Sequence, residues 1–239
     1  MKLFVNGTCR SRGPGSWPYY LQQLLDSDLV NFSISGSGGP YIYETTVTEL
    51  SKRHYDLVVV MWGLPHHTSV KVNDIFKYAD SQHTSLYESE QNDWPEKITY
   101  PINDQDYVDK NWILGIGQHQ GSCDSVAKFF EMYHNTVKFK QLVESDLIRI
   151  ISLQSYLKCK AQPYVFLYGE THHRWKQFSH LYEQIDWSNW YLDVTIRDVS
   201  EMNEGKWKAT RPGPVANPEG HAYYAKLLAS HIKAKKLDR

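Results

Sequence analysis

A run of apolar residues at positions 57–62 constrains the fold more than any other feature. Asp56 precedes the run Leu57 to Trp62, and Gly63 ends it. Three of its six residues are valine, and β-branched residues favour strands. A strand without polar alternation is buried on both faces, as in a parallel sheet covered by helices on both sides. We therefore predict a central parallel strand here.

The rest of the chain repeats this pattern of short apolar runs separated by helical spacing. A length of 239 residues suits one domain. The strand and helix alternation predicts an α/β fold with a parallel sheet. The polar, irregular segment at about 68–121 is predicted to be an insertion or cap beside the site. The strands predicted to be parallel neighbours lie near residues 3–6, 29–34, 56–62 and 163–168.

Loops after the first three strands carry the candidate site. In parallel sheets ligands bind beyond the carboxyl ends of the strands, so the loops 6–15, 35–40 and 62–67 are expected to converge on one rim. Thr8 and Cys9 lie on the first loop. The second is rich in glycine and serine, and its backbone N–H groups could bind an anion or oxyanion. The remaining candidates are Gly7, Gly36, Ser37, Gly38, Gly39, Gly63, His66 and His67.

Composition excludes several classes of function. The formal net charge is −1 without long runs of one sign, which argues against a nucleic-acid partner. The longest apolar run is too short to span a membrane, and no signal peptide is recognised, so we expect a cytoplasmic protein. The cysteines Cys9, Cys123 and Cys159 have no metal spacing and fit a reducing compartment.

Paired histidines raise the alternative of a metal site. His66-His67 and His172-His173 follow predicted strands, but adjacent side chains in an extended segment point to opposite faces, so each pair offers one ligand. Zinc would need further ligands, such as His119 or an aspartate. No spacing motif supports this. We predict no metal and no cofactor, with the histidines forming hydrogen bonds at the rim.

Five motifs, taken in order, resemble the SGNH (GDSL-type) hydrolase superfamily, and most closely its small phage and bacterial members. The resemblance spans essentially the whole chain. It implies a flavodoxin-like three-layer α/β/α sandwich with a central parallel sheet, and hydrolysis of ester or acetyl groups, often on carbohydrate or lipid. The motifs are Phe4–Cys9, Ser16–Tyr20, Asn31–Gly39, Asp56–Gly63 and Asn217–Ala225.

The resemblance assigns roles residue by residue. Gly7-Thr8-Cys9 falls on the family's Gly-Asp-Ser turn, which puts Cys9 at the nucleophile position with Thr8 as the neighbouring hydroxyl. A thiol there could act if a helix dipole or nearby Arg10 favours the thiolate. Gly36 or Gly38 stands for the glycine of the oxyanion hole.

Two departures from the family pattern concern the rest of the machinery. The third block has His66 and His67 but lacks the family asparagine, although a histidine could still donate to an oxyanion. The C-terminal His-Pro is missing: counting back from Gly220 and His221 reaches Val215 or Arg211. The base is then His221, His66 or His67, although in the family the histidine matching His221 more often caps the final helix.

Two functions therefore compete. One is an ester or acetyl-ester hydrolase in which a histidine activates Cys9, with a small-molecule or glycan ester as substrate. The other is a non-catalytic SGNH-fold binding or structural protein, such as a glycan-binding module or, for a phage gene, a virion component. The 8 Trp and 17 Tyr residues suit the second. An imidazole nitrogen within hydrogen-bond reach of the Cys9 sulfur would favour the first. The sequence does not determine the oligomeric state.

Overall fold

Strand β3 (Leu57–Trp62) lies in the middle of a five-stranded parallel sheet, and all six of its residues are buried. In the computed structural model it pairs with β1 (Lys2–Asn6) on one side and β6 (Tyr164–Tyr168) on the other. The edges are β2 (Asp28–Asn31), beside β1, and β7 (Trp190–Tyr191), beside β6. The four predicted strands are thus parallel neighbours, as expected.

The structure describes residues 1–34, 37–63, 67–71, 112–116, 137, 139–169, 180–209 and 216–238, with backbone alone for 67–71 and 112–116. Within these ranges, β4 (His67–Lys71) and β5 (Trp112–Ile116) form a separate antiparallel pair inside the predicted insertion. The sequence pattern predicts helices over 122–160 and 174–185, and residues 122–136 and 174–179 lie outside the described ranges. None of the described helices is long and apolar enough to cross a membrane.

The described residues contain five α-helices, which pack on the sheet. The sequence pattern predicts that the last helix starts at Ala222, but it begins four residues earlier. The Asn217 side chain accepts a hydrogen bond from the Gly220 N–H at 2.9 Å, and Pro218 opens the first turn. The helices are α1 (Trp17–Leu25), α2 (Gly39–Lys52), α3 (Phe139–Cys159), α4 (Ile196–Glu201) and α5 (Pro218–Ala234). Single 3-10 turns lie at Cys9–Ser11, His180–Gln184, Trp187–Asn189 and Asn203–Gly205.

Alternate residues of each central strand enter two separate cores. Phe4, Val58 and Phe166 face α2 and α3, whereas Leu3 and Val59 face α1 and α5 with their neighbours. This period of two produces two helical layers around one sheet. The predicted three-layer α/β/α sandwich is confirmed.

Candidate active site

The strand order places the candidate site at the carboxyl ends of β1 and β3. The chain goes from β1 outward to β2, then crosses β1 to reach β3 on its other side. The order β2-β1-β3 is the switch point at which open α/β sheets bind ligands. The carboxyl ends of these three parallel strands therefore lie at one edge of the sheet.

Gly7 connects the first two loops. Its carbonyl oxygen accepts hydrogen bonds from the Ser37 hydroxyl at 2.7 Å and the Ile34 N–H at 3.2 Å. A Cβ atom at position 7 would lie 2.9 Å from both the Cβ atom and the carbonyl oxygen of Met61. Glycine is required here because the turn passes directly over β3. The structure thus brings Gly7 and Ser37 together.

Thr8 and Cys9 differ in accessibility. Thr8 is buried, with 2 % of its surface exposed, and its side-chain oxygen accepts from the Arg10 N–H at 3.5 Å. It precedes the 3-10 turn Cys9–Ser11 as a capping residue. Cys9 is half-buried and carries a free thiol. Cys9 is therefore more exposed than Thr8.

The 3-10 turn under Cys9 is fixed from two sides. The Asn31 side-chain amide donates to the Ser11 carbonyl oxygen at 2.7 Å, and it accepts from the Ser33 N–H at 3.0 Å. The buried Ser11 hydroxyl lies 3.2 Å from the Met61 sulfur. Because β2 and β3 both hold this turn, the position of Cys9 is determined by the sheet.

The oxyanion candidates of the second loop lie at the start of α2. Gly38 caps this helix without a side-chain hydrogen bond, and its carbonyl oxygen accepts from the Ile42 N–H at 3.1 Å. Ser37, Gly38 and Gly39 are all buried. Gly36 lies outside the described residues.

The third loop is described in part. Gly63 follows β3, and the Gly169 N–H donates to the Trp62 carbonyl oxygen at 3.0 Å, extending the sheet edge to β6. A Cβ atom on Gly169 would lie 3.4 Å from Cδ of Arg10, so the Arg10 side chain reaches from the first loop across this edge. His66 lies outside the described residues, and His67 is placed by its backbone as the first residue of β4.

Asn6 belongs to the site although the sequence indicated it only as part of a turn. Its amide oxygen accepts the Gly7 N–H at 2.8 Å. Its buried amide nitrogen faces oxygen atoms of Thr45 and Thr46 at 2.8 and 2.9 Å. The Gly7 N–H is therefore engaged within the protein, so Gly7 orders the turn while another group must donate to an oxyanion.

Asp146 on α3 was also missed, because a single aspartate in an amphipathic helix is usually exposed. Here it is 6 % exposed, and its carboxyl group packs against Gly39. Arg149 Nη1 donates to Asp146 Oδ1 at 3.2 Å. Burial raises the pKa of Asp146 to about 7, and the Arg149 charge opposes part of this rise. Burial also raises the pKa of Tyr168, with smaller contributions from Tyr182 and Asp146.

Solved structures with this architecture are esterases. The psychrotrophic esterase EstA from Pseudoalteromonas sp., inhibited by monoethylphosphonate, aligns with a TM-score of 0.52 at 12% identity over 100% of this chain and 99% of that one. The acetyl xylan esterase AlAXEase aligns with a TM-score of 0.51 at 12% identity over 97% and 100%. A catalytic mutant of the acetylxylan esterase Axe2 from Geobacillus stearothermophilus aligns with a TM-score of 0.50 at 12% identity, over 97% of this chain and 93% of that one.

This chain has the SGNH-esterase fold. No family model and no curated protein matches the sequence. In this fold the turn after β1 lies at the switch point of the sheet.

His221 has a structural contact within the SGNH fold. It is buried in the first turn of α5, and its Nδ1 atom accepts the Trp17 N–H at 3.3 Å. A neutral imidazole has one acceptor nitrogen, and here the first N–H of α1 uses it. The contact joins the starts of α1 and α5, so the geometry favours helix capping over proton abstraction.

No metal centre is apparent in the described part of the SGNH fold. Those residues contain no group of three or more His, Cys, Asp or Glu side chains placed to bind a metal ion. His66, His119, His172 and His173 lie outside them. A groove of about 710 Å³ lies at the opposite, amino edge of the sheet, where Lys2, Arg53 and Asp56 line it. It is at the other end of β1 from Cys9.

Proposed function

We propose that the protein is an SGNH-type hydrolase of ester or acetyl groups that uses Cys9 as its nucleophile. The position of Cys9 carries the proposal: a half-buried thiol opens a 3-10 turn at the carboxyl end of β1. That edge is where this fold binds ligands. Thr8 is the weaker candidate because its hydroxyl is buried and engaged in capping.

The reaction proceeds in two acyl-transfer steps. A histidine takes the proton of the Cys9 thiol, and the sulfur attacks the ester carbonyl carbon. The tetrahedral intermediate expels the alcohol, which receives the proton from the histidine, and a thioester remains on Cys9. Water then attacks the thioester with the same base and releases the carboxylic acid and the free thiol. We assign the base to His66 or His67, on the segment after β3, because Nδ1 of His221 is already an acceptor.

The Ser37–Gly39 loop supplies the oxyanion site in this proposal. The loop is bound to Gly7 through the Ser37 hydroxyl, which keeps it next to the Cys9 turn. Gly38, Gly39 and Gly63 are the candidates that surround the carbonyl oxygen. Ser37 holds the loop, since its N–H donates to the Ile34 carbonyl oxygen at 3.3 Å and its hydroxyl donates to Gly7. Acetylated carbohydrates are the substrate class to test first, since two of the compared structures are acetyl xylan esterases.

The test is hydrolysis of a panel of acyl esters and acetylated sugars by wild type and Cys9→Ala. We expect turnover by wild type and its loss in the variant. Cys159→Ala is the matched control because Cys159 is an exposed free cysteine at the end of α3. Turnover that survives in Cys9→Ala contradicts the assignment of Cys9 as the nucleophile. Absence of turnover by wild type contradicts the proposed hydrolase activity.

A non-catalytic glycan-binding protein is the second candidate, and the His221 contact favours it because this candidate base is already engaged as an acceptor for the Trp17 N–H. An aromatic pair could contact a sugar: the Trp207 and Tyr223 rings lie 4.6 Å apart at 31°, and Tyr223 is 36 % exposed. Binding of acetylated xylo-oligosaccharides without turnover, weakened by Tyr223→Ala, would support it.

A further inference from the structure

Asp146 is a buried acid next to the site to which the proposed mechanism gives no role. It lies on α3, and its carboxyl group fills the space beside Gly39 in which a side chain would otherwise stand. A Cβ atom on Gly39 would overlap Oδ1 and would lie 2.7 Å from Cγ of Asp146. An acid and a glycine thus meet where α3 packs on the first turn of α2.

The contact leads to the Cys9 turn through consecutive residues. Gly39 follows Gly38 and Ser37, and the Ser37 hydroxyl donates to the Gly7 carbonyl oxygen at 2.7 Å. Gly38 caps α2 without a side-chain hydrogen bond. A shift of the Asp146 carboxyl group therefore moves the loop that the proposed mechanism uses.

We propose that Asp146 is a positioning residue, whose neutral carboxyl group holds the Ser37–Gly39 loop in the geometry used for hydrolysis. The link to hydrolysis rests on the proposed function, whereas the contact with Gly39 does not.

Ionisation has a structural cost at this position. Asp146 is 6 % exposed, so a charge there draws in water or Arg149. Arg149 Nη1 is 3.2 Å away, and its side chain is 30 % exposed. The electrostatic neighbours are Arg149 on α3, Tyr168 on β6 and, beyond Tyr168, Tyr182. From α2, the backbone of Gly39 faces the carboxyl group.

Ionisation occurs within the working pH range, since burial raises the pKa of Asp146 to about 7. A group with this pKa is about 3 % neutral at about pH 8.5, so hydrolysis through the neutral form would fall roughly 30-fold. A histidine base gains activity over the same range, so wild type must be compared with a variant that cannot ionise.

The sequence permits a measurement that does not depend on activity. Gly38-Gly39 is the single Gly-Gly pair in the chain. When glycine is labelled with 13C at the carbonyl carbon and with 15N at the nitrogen, a carbonyl-to-amide NMR experiment therefore gives one signal. It joins the Gly38 carbonyl carbon to the Gly39 amide. We expect this signal to shift with pH in wild type, with a midpoint near 7, and to stay constant in Asp146→Asn. Glu144→Gln, on the same helix and partly exposed, should titrate as wild type does.

The kinetic arm uses the same three proteins. Each rate is normalised to its own value at about pH 5.5, and we expect the Asp146→Asn rate to exceed that of wild type increasingly above pH 7, mainly through kcat. Equal profiles overturn the catalytic link. A constant Gly39 signal in wild type, or one that titrates in Asp146→Asn, overturns the positioning role. If wild type shows no turnover but its Gly39 signal still shifts with pH, the proposed function is contradicted and the positioning role is not.

A second variant covers failure of Asp146→Asn to fold. Arg149→Gln removes the charge that favours the carboxylate, so the Gly39 midpoint should move to higher pH. An unchanged midpoint overturns the proposal.

Discussion

The Ser37 hydroxyl donates to the carbonyl oxygen of Gly7, thirty residues earlier in the chain, at 2.7 Å. The same hydroxyl lies 2.8 Å from the Ile34 carbonyl oxygen. The Ser37 side chain thus closes its own loop and attaches it to the Cys9 turn. Loops that belong to different strands move together because of this contact.

Ser37→Ala should lower the free energy of unfolding by about 1 kcal/mol, the usual net value of a hydrogen bond. The fall in ester turnover should exceed the loss of folded protein, because the two loops become independent. Ser51→Ala is the control, since Ser51 bonds the Thr48 carbonyl oxygen in the exposed part of α2. Urea unfolding and initial rates measure the two effects, and equal behaviour of the variants would contradict the role of Ser37.

His221→Asn distinguishes a capping histidine from a base. The asparagine oxygen can accept the Trp17 N–H in place of Nδ1, so we expect stability and turnover close to wild type. His221→Ala should lose about 1–3 kcal/mol, because it leaves a buried N–H without an acceptor. His54→Asn, at an exposed position, is the control. Abolished turnover in a stable His221→Asn would show that the histidine acts on the proton.

Alkylation of the thiols tests the reactivity of Cys9. Cys159 is exposed and Cys9 half-buried, so accessibility alone predicts faster labelling of Cys159. An activated nucleophile reverses this order, because the thiolate is the reacting form. We expect iodoacetamide to label Cys9 before Cys159 and Cys123 at neutral pH, as followed by peptide mass spectrometry. Slow and equal labelling, with no ester hydrolysis, would favour a non-catalytic protein.

The fold was predictable from local patterns, whereas the contacts of the site were not. The run Leu57–Trp62 has the composition of a doubly buried strand, and it is one. Serine before a proline-containing first turn is a local signal for a helix cap, and Ser16 occupies that position at α1. Its hydroxyl, however, donates to the Gly13 carbonyl oxygen at 2.7 Å. The first N–H of α1 is instead bound by His221, 204 residues away. No local pattern encodes that partner.

Buried polar groups show the same limit. The burial of Asp146 depends on a glycine more than a hundred residues earlier, and the helical period around Asp146 does not indicate it. Asn6 has the sequence of an Asn-Gly turn, yet its amide connects β1 to α2. The positions of Gly36 and His66 remain predictions, as do the catalytic roles of all the site residues.

Gly39→Ala should destabilise the protein by about 1–3 kcal/mol, since the added methyl group overlaps the Asp146 carboxyl group. The double variant with Asp146→Ala should recover part of the loss, because it removes the overlapping atoms. A double-mutant cycle by urea unfolding measures the coupling. Additive effects would show that the two residues do not share this space.

The stability of wild type should fall as pH rises from about 4 to 7, relative to Asp146→Asn. Asp146 has a folded pKa of about 7 against a usual 3.8, so the folded state holds the proton more tightly. The stabilisation from this proton is therefore fully present below the unfolded pKa of 3.8, and it is lost as the pH rises through the folded pKa of about 7. The difference between the proteins is at most about 4 kcal/mol. A constant difference across this range would contradict the raised pKa.

The pairing of Lys71 with Trp112 places the two ends of the intervening forty residues side by side. In evolutionary terms, the length and composition of that stretch can change while the strands that carry it stay in register. Loop-closure entropy grows slowly with length, so such exchanges cost little stability. Recombination at these two residues could therefore exchange the stretch between them, while the sheet and the Cys9 turn are inherited intact.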